Sequence, residues 1–387
     1  MQRRQWMKAT SAAALSFAGF PAWGGKADAQ APRLLVVMLR GAMDGLSAVP
    51  PVADANYFRI RPSLAIQNSL PLDASFGLHP SLQHLHELWG QRQLAIVHST
   101  GFSYFGRSHF EGQDLMQSGM NKPYASASGW LGRAMQMAQV SGGVSISIPM
   151  PLILRGNPSS ATQFPNWMPP LTPKLTDALA ALWAQDPLIS PYAASLKADA
   201  ISKPDRMGRQ EYVAARSFSE LGRLAGREMR APQGPRVGLV DFTHGFDTHA
   251  NQGAEQGGLA DQLQQLDRLV KAYQDEMGPA WANALVVTVT EFGRTAAENG
   301  TTGTDHGVGT CCFLAGGLIS EAKVYSDWRG LSKDQLFEGR DLPATIDVAA
   351  VYARVVERVF QIPPQRIGDQ VIAHQASRAL KGLLDLA

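Results

Sequence analysis

The chain of 387 residues has only two cysteines, Cys311 and Cys312, which are adjacent in the apolar run CCFLAGG. Two neighbouring cysteines cannot form the framework of disulfides that stabilises small secreted domains. We therefore predict that both are small hydrophobic residues inside a buried strand. A vicinal disulfide and a metal-binding pair are the alternatives.

The chain also lacks an excess of charge, with 35 basic and 33 acidic residues and a formal charge of +2. Residues 1–29 hold four basic side chains and one acidic one, so without them the formal charge is about −1. A nearly neutral chain gives no sign of the basic surface that nucleic acids or anionic membranes attract. We expect neither as a partner.

The weakly apolar stretch ATSAAALSFAGFPAWGG near the start is too short and too rich in Gly, Ala and Ser to span a bilayer. It follows Arg3 and Arg4, and ADA at 27–29 supplies the small residues that a signal peptidase reads. We predict a twin-arginine export signal over residues 1–29. The protein would then meet the twin-arginine machinery and be periplasmic or exported, without a membrane span in its mature form. An ordinary Sec signal or a membrane anchor is the alternative.

Hydrophobic residues make up 45% of the chain, with no internal repeat, which is typical of a globular protein. Continuous apolar runs bounded by glycine-rich turns suit the interior of a mostly parallel sheet covered on both faces. Four segments have this character: RLLVVML at 33–39, QLAIVHS at 93–99, RVGLVDF at 236–242 and ALVVTVT at 284–290.

Helical patterns lie between the apolar runs. The segment LADQLQQLDRLVKAYQDEMG is amphipathic and ends at Gly278, and TIDVAAVYARVVERVFQI follows Pro343 and stops before Pro363. Strands that alternate with helices predict a doubly wound α/β sheet. We expect residues 30–387 to form one domain of this class.

The middle of the chain has a different composition. Residues 141–173 are dense in Pro, Ser and Asn, and residues 176–229 resemble helices broken at Pro187, Pro191 and Pro204. We predict an insertion or cap on the sheet over about residues 141–230, with a separate domain as the alternative.

Polar side chains follow each predicted strand. Ligands of open parallel sheets bind beyond the carboxyl ends of the strands, so these side chains should lie close together. Carboxylates and neutral imidazoles are the groups that divalent cations need, and their number predicts a metal site. Any one of them alone would suit a helix cap, a turn or a core histidine. The pooled residues are Asp44, Ser108, His109, Asp241, His244, Asp247, His249, Glu291, Arg294, Asp305 and His306.

The motif GFDTH carries the sharpest signal. Asp247 and His249 alternate, so in an extended loop both would point the same way and could share one cation; an Asx turn with a surface histidine is the alternative. Asp44 lies between Gly41 and Gly45, which allow the backbone to approach a ligand closely. Asp44 is either a metal ligand or the N-cap of a helix.

Ser108 lies where a loop enters a helix in GRSHFEGQ. The amides of a helix N-terminus stabilise developing negative charge, and a nearby cation would lower the pKa of the hydroxyl enough for nucleophilic attack. Alternatively, Ser108 and Glu111 form a capping box without any catalytic role.

Seven motifs together resemble the bacterial DUF1501 family, which is similar in fold to the alkaline phosphatase and sulfatase superfamily. They are RGAMDGLSAVPP, GRSHFEGQDLMQSG, SGWLGRAM, GFDTHANQ, TEFGRT, GTDHG and GRDLP, and they span nearly the whole mature chain. The resemblance implies a doubly wound sheet with one or two metals at its carboxyl edge, around a Ser, Thr or modified Cys nucleophile.

By position, the resemblance implies metal ligands at Asp44, Asp247, His249, Glu291 and His306, with Asp305 beside the last. An alternative alignment matches Asp305 and His306 to the Asp-His pair of the superfamily. Three features depart from the superfamily pattern: the spacing in DTH is shorter, Phe292 replaces a histidine, and the sulfatase signature CxPxR is absent. These departures leave the metal count and the nucleophile open.

The resulting hypothesis is an exported metal-dependent hydrolase or transferase that acts on a small anionic phosphate or sulfate ester. The divalent metal would be zinc, calcium, magnesium or manganese, in one or two copies. We expect catalytic roles for Ser108, His109 and Arg294, with Arg40, Arg107 and Arg294 as candidates to hold the anionic group. The alternative is a non-catalytic binding or accessory protein that keeps the superfamily fold.

Overall fold

The computed structural model describes residues 30–140, 142–146, 150–162, 177–178, 181–182, 217–231, 233–242, 245–373 and 377–384. The predicted export signal lies outside the described residues, as do His244 and most of the predicted cap.

Strands of different lengths are interspersed with helices along the described chain. The strands are β1 (Arg33–Leu39), β2 (Leu70–Pro71), β3 (Gly77–Leu78), β4 (Leu94–Gly101), β5 (Gly143–Ile146), β6 (Ala161–Thr162), β7 (Val237–Phe242), β8 (Ala284–Val289), β9 (Thr310–Ala315), β10 (Lys323–Tyr325) and β11 (Ile346–Asp347). The helices are α1 (Gly45–Ala48), α2 (Ala55–Ile60), α3 (Gln83–Gly90), α4 (His109–Ser118), α5 (Trp130–Met137), α6 (Phe218–Arg230), α7 (Gly258–Met277), α8 (Val348–Phe360) and α9 (Pro364–Gln370).

One large sheet organises the molecule. Its strands follow the order β10-β4-β9-β8-β1-β7-β5-β6, with β11 paired to β4, while β2 and β3 form a separate two-stranded ribbon. Within the large sheet β9 runs antiparallel to β4 and β8, and the other pairings are parallel. The predicted α/β class with a mostly parallel sheet is confirmed.

Helices cover both faces of this sheet, which explains the continuous apolar runs. In β1, Val36 faces a core that includes Trp130 of α5, whereas Val37 faces a second core that includes Leu266 of α7. All four side chains are fully buried. Burying an aliphatic side chain of this size contributes about 1.5–3 kcal/mol, so the two cores supply the main stabilisation.

The two predicted helices form, with one shifted start. Helix α7 ends at Met277 and is followed by Gly278 at a φ of 51°. Helix α8 begins at Val348, three residues after the predicted start, because Ile346 and Asp347 pair with β4 and the Asp347 carboxylate then caps the helix.

The stretch predicted as an insertion or cap is partly built into the main domain. Strand β5 pairs with β7 and β6 pairs with β5, so residues 143–146 and 161–162 extend the central sheet. Helix α6 packs against α7, and its Met229 and Ala225 are fully buried. A cap formed by the residues between them stays a prediction.

Both cysteines are unbridged and buried in β9, as predicted. Burial raises the pKa of Cys312 to about 12, and its Sγ donates to the Thr288 carbonyl at 3.1 Å. Among the described residues, no helix has the length and apolar character needed to cross a bilayer.

Candidate metal centre

Three loops deliver polar side chains to the carboxyl edge of the sheet: those after β4 and β7, and the one that joins β8 to β9. His109 begins α4 after β4, Asp247 and His249 follow β7, and Glu291 follows β8. His306 arrives differently: it precedes β9, and because β9 is antiparallel its amino end lies at the edge where the parallel strands end.

Three imidazoles and one carboxylate converge there. His306 Nε2 lies 3.0 Å from the Nε2 atoms of both His109 and His249. Asp247 Oδ1 is 3.0 Å from His249 Nε2 and 3.2 Å from His306 Nε2, and its Oδ2 is 3.3 Å from His109 Nε2. We call His109, Asp247, His249 and His306 the triple-histidine cluster.

The opposite nitrogen of each imidazole is held by an oxygen acceptor. The contacts are Glu291 Oε1 at 2.8 Å from His109 Nδ1, Asp305 Oδ1 at 3.3 Å from His249 Nδ1 and the Arg107 carbonyl oxygen at 2.8 Å from His306 Nδ1. Each Nδ1 therefore donates to its acceptor, and in the neutral form of each ring the lone pair of Nε2 points towards the cluster.

Three lone pairs and a carboxylate at such distances repel one another unless a positive charge offsets them, either a metal ion or an added proton. Imidazole nitrogens bind zinc at about 2.0–2.1 Å, which places tetrahedral ligands about 3.3 Å apart, close to the observed spacing. The Asp247 and His249 side chains are 41% and 46% exposed, whereas those of His109 and His306 are 23% exposed. His109, Asp247 and His306 offer ligand atoms that all lie within 4.8 Å of one another, so these three residues fit a single metal ion. His249 lies beside them on the exposed side, with its Nε2 next to that of His306.

Glu291 contacts His109 and does not itself face the centre. Its fully buried carboxylate accepts three hydrogen bonds at Oε1, from His109 Nδ1, Gly41 N at 2.9 Å and Gln113 Nε2 at 3.0 Å. Burial alone would raise the pKa of Glu291, but these hydrogen bonds outweigh it and lower the pKa below its usual value. An ionised Glu291 fixes the orientation of His109, as carboxylates do for metal-binding histidines.

Asp305 has the same relation to His249. Its Oδ1 also accepts from Asn299 Nδ2 at 3.1 Å, and this bond, with that of His249, lowers the pKa of Asp305. The structure thus places both Glu291 and Asp305, predicted as ligands, behind the histidines that face the centre.

Asp44 lies outside the cluster in a buried ion pair. Its carboxylate contacts Arg61 Nη1 at 2.6 Å, Gln252 Nε2 at 2.7 Å and Ser47 Oγ at 2.8 Å, and it accepts from Leu46 N as the N-cap of α1. Burial raises the pKa of Asp44, and the Arg61 charge more than offsets it, so the pKa is lowered. Of the two roles considered for Asp44, the structure shows the cap.

Arg294 orients the carboxylate of the cluster. Its Nη1 is 2.6 Å from Asp247 Oδ1, and its Nε and Nη2 donate to the hydroxyl and the carbonyl of Thr304. Burial raises the pKa of Asp247, but the Arg294 guanidinium outweighs it and lowers the pKa. The guanidinium is fully buried, so it positions Asp247 and has no free edge for an anion.

The other two arginines predicted to hold an anionic group are also paired. Arg40 binds Asp241 through two contacts of 2.8 and 2.9 Å and donates to Gln113. Arg107 binds Asp341 and Glu338, each at 2.7 Å.

Arg107 also has a left-handed backbone, with a φ of 53°. Such a conformation in a residue other than glycine costs on the order of 1 kcal/mol or more and persists when the surroundings impose it. Here it accompanies the contact between the Arg107 carbonyl and His306, while the buried Asp341 holds the side chain.

Glycines allow the loop after β8 to fold back on the segment before β9. Arg294 and His306 form an antiparallel bridge, and Gly293 N donates to the Val308 carbonyl at 3.0 Å. A Cβ at Gly293 would lie 1.7 Å from the Gly309 carbonyl oxygen, so no other side chain fits.

Phe292 packs against the cluster. Its ring centroid is 5.0 Å from that of His109 and 5.2 Å from that of His306, and only 2% of the residue is exposed. At the position where the superfamily resemblance implies a histidine, this chain therefore has an apolar wall that supports two imidazoles.

Ser108 is the N-cap residue of α4, but its side chain makes no capping hydrogen bond. Glu111 accepts from the Tyr104 hydroxyl at 2.6 Å, and Ser108 N donates to that same hydroxyl at 3.1 Å. The capping box considered for Ser108 and Glu111 is not formed. Ser108 is partly exposed between Arg107, whose carbonyl contacts the cluster, and His109, which belongs to it.

The role predicted for His109 is catalytic. In the structure its Nε2 instead lies beside His306 and Asp247, where a metal ligand is expected. The signal was present, because His109 follows a predicted strand just as Asp247 and Glu291 do. Neither the Arg107 carbonyl nor Gln113 could be predicted as part of the site. Every residue has a backbone carbonyl, and no local pattern marks a glutamine in a helix as functional.

The chain is similar in structure to several solved proteins, each below 25% identity. Murine ectonucleotide pyrophosphatase/phosphodiesterase 5 in complex with AMP shares 12% identity at a TM-score of 0.33, with 68% of this chain and 57% of that chain covered. The chain thus spans just over half of that protein.

Two further structures cover more of both chains. Ps i-CgsB shares 9% identity at a TM-score of 0.43, with 88% of this chain and 75% of that chain covered. A protein in the alkaline phosphatase superfamily from Vibrio parahaemolyticus shares 11% identity at a TM-score of 0.36, with 84% of this chain and 71% of that chain covered.

No curated protein sequence matches the chain. The family model described as "Protein of unknown function (DUF1501)" matches residues 31–372, which include every residue of the triple-histidine cluster. The resemblance noted in the motifs is thereby confirmed, and the chain belongs to the DUF1501 family.

Proposed function

We propose that the protein is a metal-dependent hydrolase of phosphate or sulfate esters with one divalent cation at the triple-histidine cluster. The observation that carries the proposal is the convergence of His109, Asp247 and His306, whose ligand atoms all lie within 4.8 Å of one another. The Nδ1 atoms of these two histidines and of the adjacent His249 are each held by an acceptor. Such an arrangement is typical of metal-binding histidines with supporting acceptors.

The donor set favours zinc among the metals considered. Imidazole nitrogens together with one carboxylate oxygen suit zinc, whereas magnesium and calcium prefer oxygen ligands. When bound, the cation would polarise the ester oxygen as a Lewis acid.

The residues around the cluster have defined roles in this proposal. Glu291, Asp305 and the Arg107 carbonyl hold the three imidazoles with their Nε2 atoms inward, and Arg294 holds the Asp247 carboxylate. This fixed arrangement lowers the cost of ordering the ligands when a cation binds.

Ser108 is the proposed nucleophile, with water as the alternative. Its hydroxyl is not used as a helix cap, and the residues on either side of it contact the cluster. The N-terminus of α4 would stabilise negative charge that develops beside Ser108.

We also propose that the protein is exported through the twin-arginine pathway, with cleavage before Gln30. The proposal is supported by the pattern of residues 1–29 in the sequence.

A non-catalytic binding or accessory protein is the second candidate. One observation favours it: His249 lies beside the three groups of the centre and could supply a fourth ligand. Structural zinc sites have four protein ligands, whereas catalytic sites commonly have three and keep one position open. The exposure of Asp247 and His249 favours the hydrolase, because one of these ligands could give way to substrate.

Metal analysis followed by an ester screen tests the proposal. We expect about one zinc ion for each chain by mass spectrometry, loss of metal in Asp247→Asn and His306→Gln, and retention in His86→Gln. The His86 control changes a partly buried histidine whose Nε2 contacts the Pro71 carbonyl, away from the cluster.

The screen then compares phosphate and sulfate esters of 4-nitrophenol with the wild type, Asp247→Asn and Ser108→Ala. Hydrolysis that is lost with the metal supports the hydrolase, and loss in metal-loaded Ser108→Ala identifies the nucleophile. Stoichiometric metal without turnover of any ester would favour the accessory protein. Absence of metal would refute a metal site at the cluster, whether catalytic or structural.

A further inference from the structure

A cavity of about 400 Å³, which we call the side pocket, opens beside the cluster. Asp305 and Asn299 form part of its wall. Asp305 Oδ1 is also 3.3 Å from His249 Nδ1, so one side chain separates the pocket from the cluster. The Asp305 and His249 side chains are 51% and 46% exposed, so this boundary between pocket and cluster is open to solvent.

The floor of the side pocket is apolar. It contains Ile60, Leu331 and Leu336, which pack with a small core around the buried Tyr57. The volume lies in the range of small-molecule sites, about 300–1,000 Å³, and is sufficient for a ring-sized apolar group.

The rim of the side pocket carries three cationic side chains, Arg59, Lys333 and Arg340. Arg59 donates to the neutral Asn56 Oδ1, and within the described ranges no carboxylate pairs with Arg59 or Lys333. Both side chains are exposed. They present positive charge that no carboxylate in the described part of the chain neutralises directly.

Arg340 connects the rim to the cluster. Its Nη1 donates to the backbone carbonyl of His306 at 3.0 Å and to the buried Asp341 at 2.9 Å. Asp341 is shared with Arg107, whose carbonyl contacts His306 Nδ1.

The two carboxylates of the pocket wall are already engaged. Glu298 accepts from Ser63 N, Ser63 Oγ and Leu64 N at 2.7–2.9 Å, and Asp305 accepts from Asn299 and His249. The pocket therefore combines an apolar floor with cations that are available to a ligand.

We propose that the side pocket binds the leaving group of the ester, and that this group is a ring-sized apolar body bearing its own anionic substituent. The inference rests on the proposed hydrolase function for its catalytic half. Binding of the leaving-group alcohol does not depend on turnover, so the pocket can be tested separately.

The binding test uses 6-hydroxynaphthalene-2-sulfonate and the neutral 2-naphthol, titrated against the full chain by fluorescence. We expect the sulfonate to bind about tenfold more tightly, because Lys333 and Arg59 contact the anion. Lys333→Glu and Arg59→Glu should remove this preference, and Ala297→Trp, which fills the pocket from an exposed position on its wall, should abolish binding of both.

Arg366→Glu is the matched control, since it reverses an exposed charge on α9, outside the residues that line the pocket. It should bind as the wild type does. Absence of binding to the wild type, or equal weakening by Arg366→Glu and Lys333→Glu, would overturn the pocket.

The catalytic test compares the phosphate ester of 6-hydroxynaphthalene-2-sulfonate with methyl phosphate. We expect Lys333→Glu to lower kcat/KM at least fivefold for the first and to leave the second unchanged. Equal effects on both esters would refute the leaving-group assignment. If neither ester is hydrolysed but the alcohol binds as described, the hydrolase function fails and the anion-binding pocket stands.

Discussion

His306 Nε2 lies 3.0 Å from His109 Nε2 although 197 positions separate the two residues in the chain. The contact follows from the one antiparallel partner of β4 and β8 in the central sheet. Because β9 starts where the parallel strands end, the residue before it meets the residues after them.

Asp44 and Asp247 should respond differently to removal of their charge. Asp44→Asn leaves the fully buried Arg61 without its ion-pair partner, and we expect the free energy of unfolding to fall by about 3–5 kcal/mol. Metal content should stay as in the wild type when the folded protein is assayed at low temperature. Chemical denaturation and metal analysis of both variants check this.

Asp247→Asn should lose metal, and its metal-free form should be destabilised less than Asp44→Asn. The exposed Asp247 leaves one side of its ion pair open to water, and the buried Arg294 keeps its hydrogen bonds to Thr304. Loss of metal in folded Asp44→Asn would show that Asp44 acts as a ligand after all.

Glu291→Gln tests the support of the histidines. The neutral amide weakens the acceptor for His109 Nδ1, and we expect metal affinity to fall by about 10–100-fold in competition with a chelator. Glu87→Gln is the control, because Glu87 is exposed and contacts only a histidine of its own helix. An unchanged affinity in Glu291→Gln would mean that the ring is oriented by packing alone.

Gly293→Ala should destabilise the protein by at least about 2 kcal/mol, since the new Cβ would lie 1.7 Å from the Gly309 carbonyl oxygen. Gly90→Ala meets open space at the end of α3 and should be neutral or slightly stabilising. Thermal unfolding of the two variants in the metal-free state makes the comparison. Equal Tm values would contradict the close approach of the two loops.

We predict that His98, which lies outside the cluster, makes the stability of the protein depend on pH. Burial lowers the pKa of His98 to about 4, while its Nε2 contacts the Val49 carbonyl. In the unfolded chain the pKa of this histidine is about 6.5. Between about pH 6.5 and pH 4 the imidazole is therefore protonated in the unfolded state and neutral in the folded state. Stability is therefore lost as pH falls through this window, by up to about 3 kcal/mol from this group.

His98→Asn cannot be protonated there and should have a shallower slope of unfolding free energy against pH over that window. Metal-free protein is used for both, so that protonation of the cluster contributes equally. Identical slopes would show that His98 is not the residue responsible.

Much of the fold could be predicted because burial leaves a strong pattern. The runs at 33–39, 236–242 and 284–290 are mostly apolar because both faces of the sheet are covered, and the observed strands start and end within one residue of the predicted ones. The amphipathic α7 and the two buried cysteines followed from the same physics.

The site was harder to predict, because the sequence around a carboxylate does not show whether it binds a metal ion, a guanidinium or an imidazole. Asp44 and Asp247 both follow a strand. Asp44 forms a buried ion pair with Arg61, whereas Asp247 lies among the histidines. Local sequence determined which side chains arrive at the carboxyl edge of the sheet. Only the tertiary structure decided which of them face one another, because the partners come from loops far apart in the chain, and the antiparallel course of β9 selects His306 as the third imidazole.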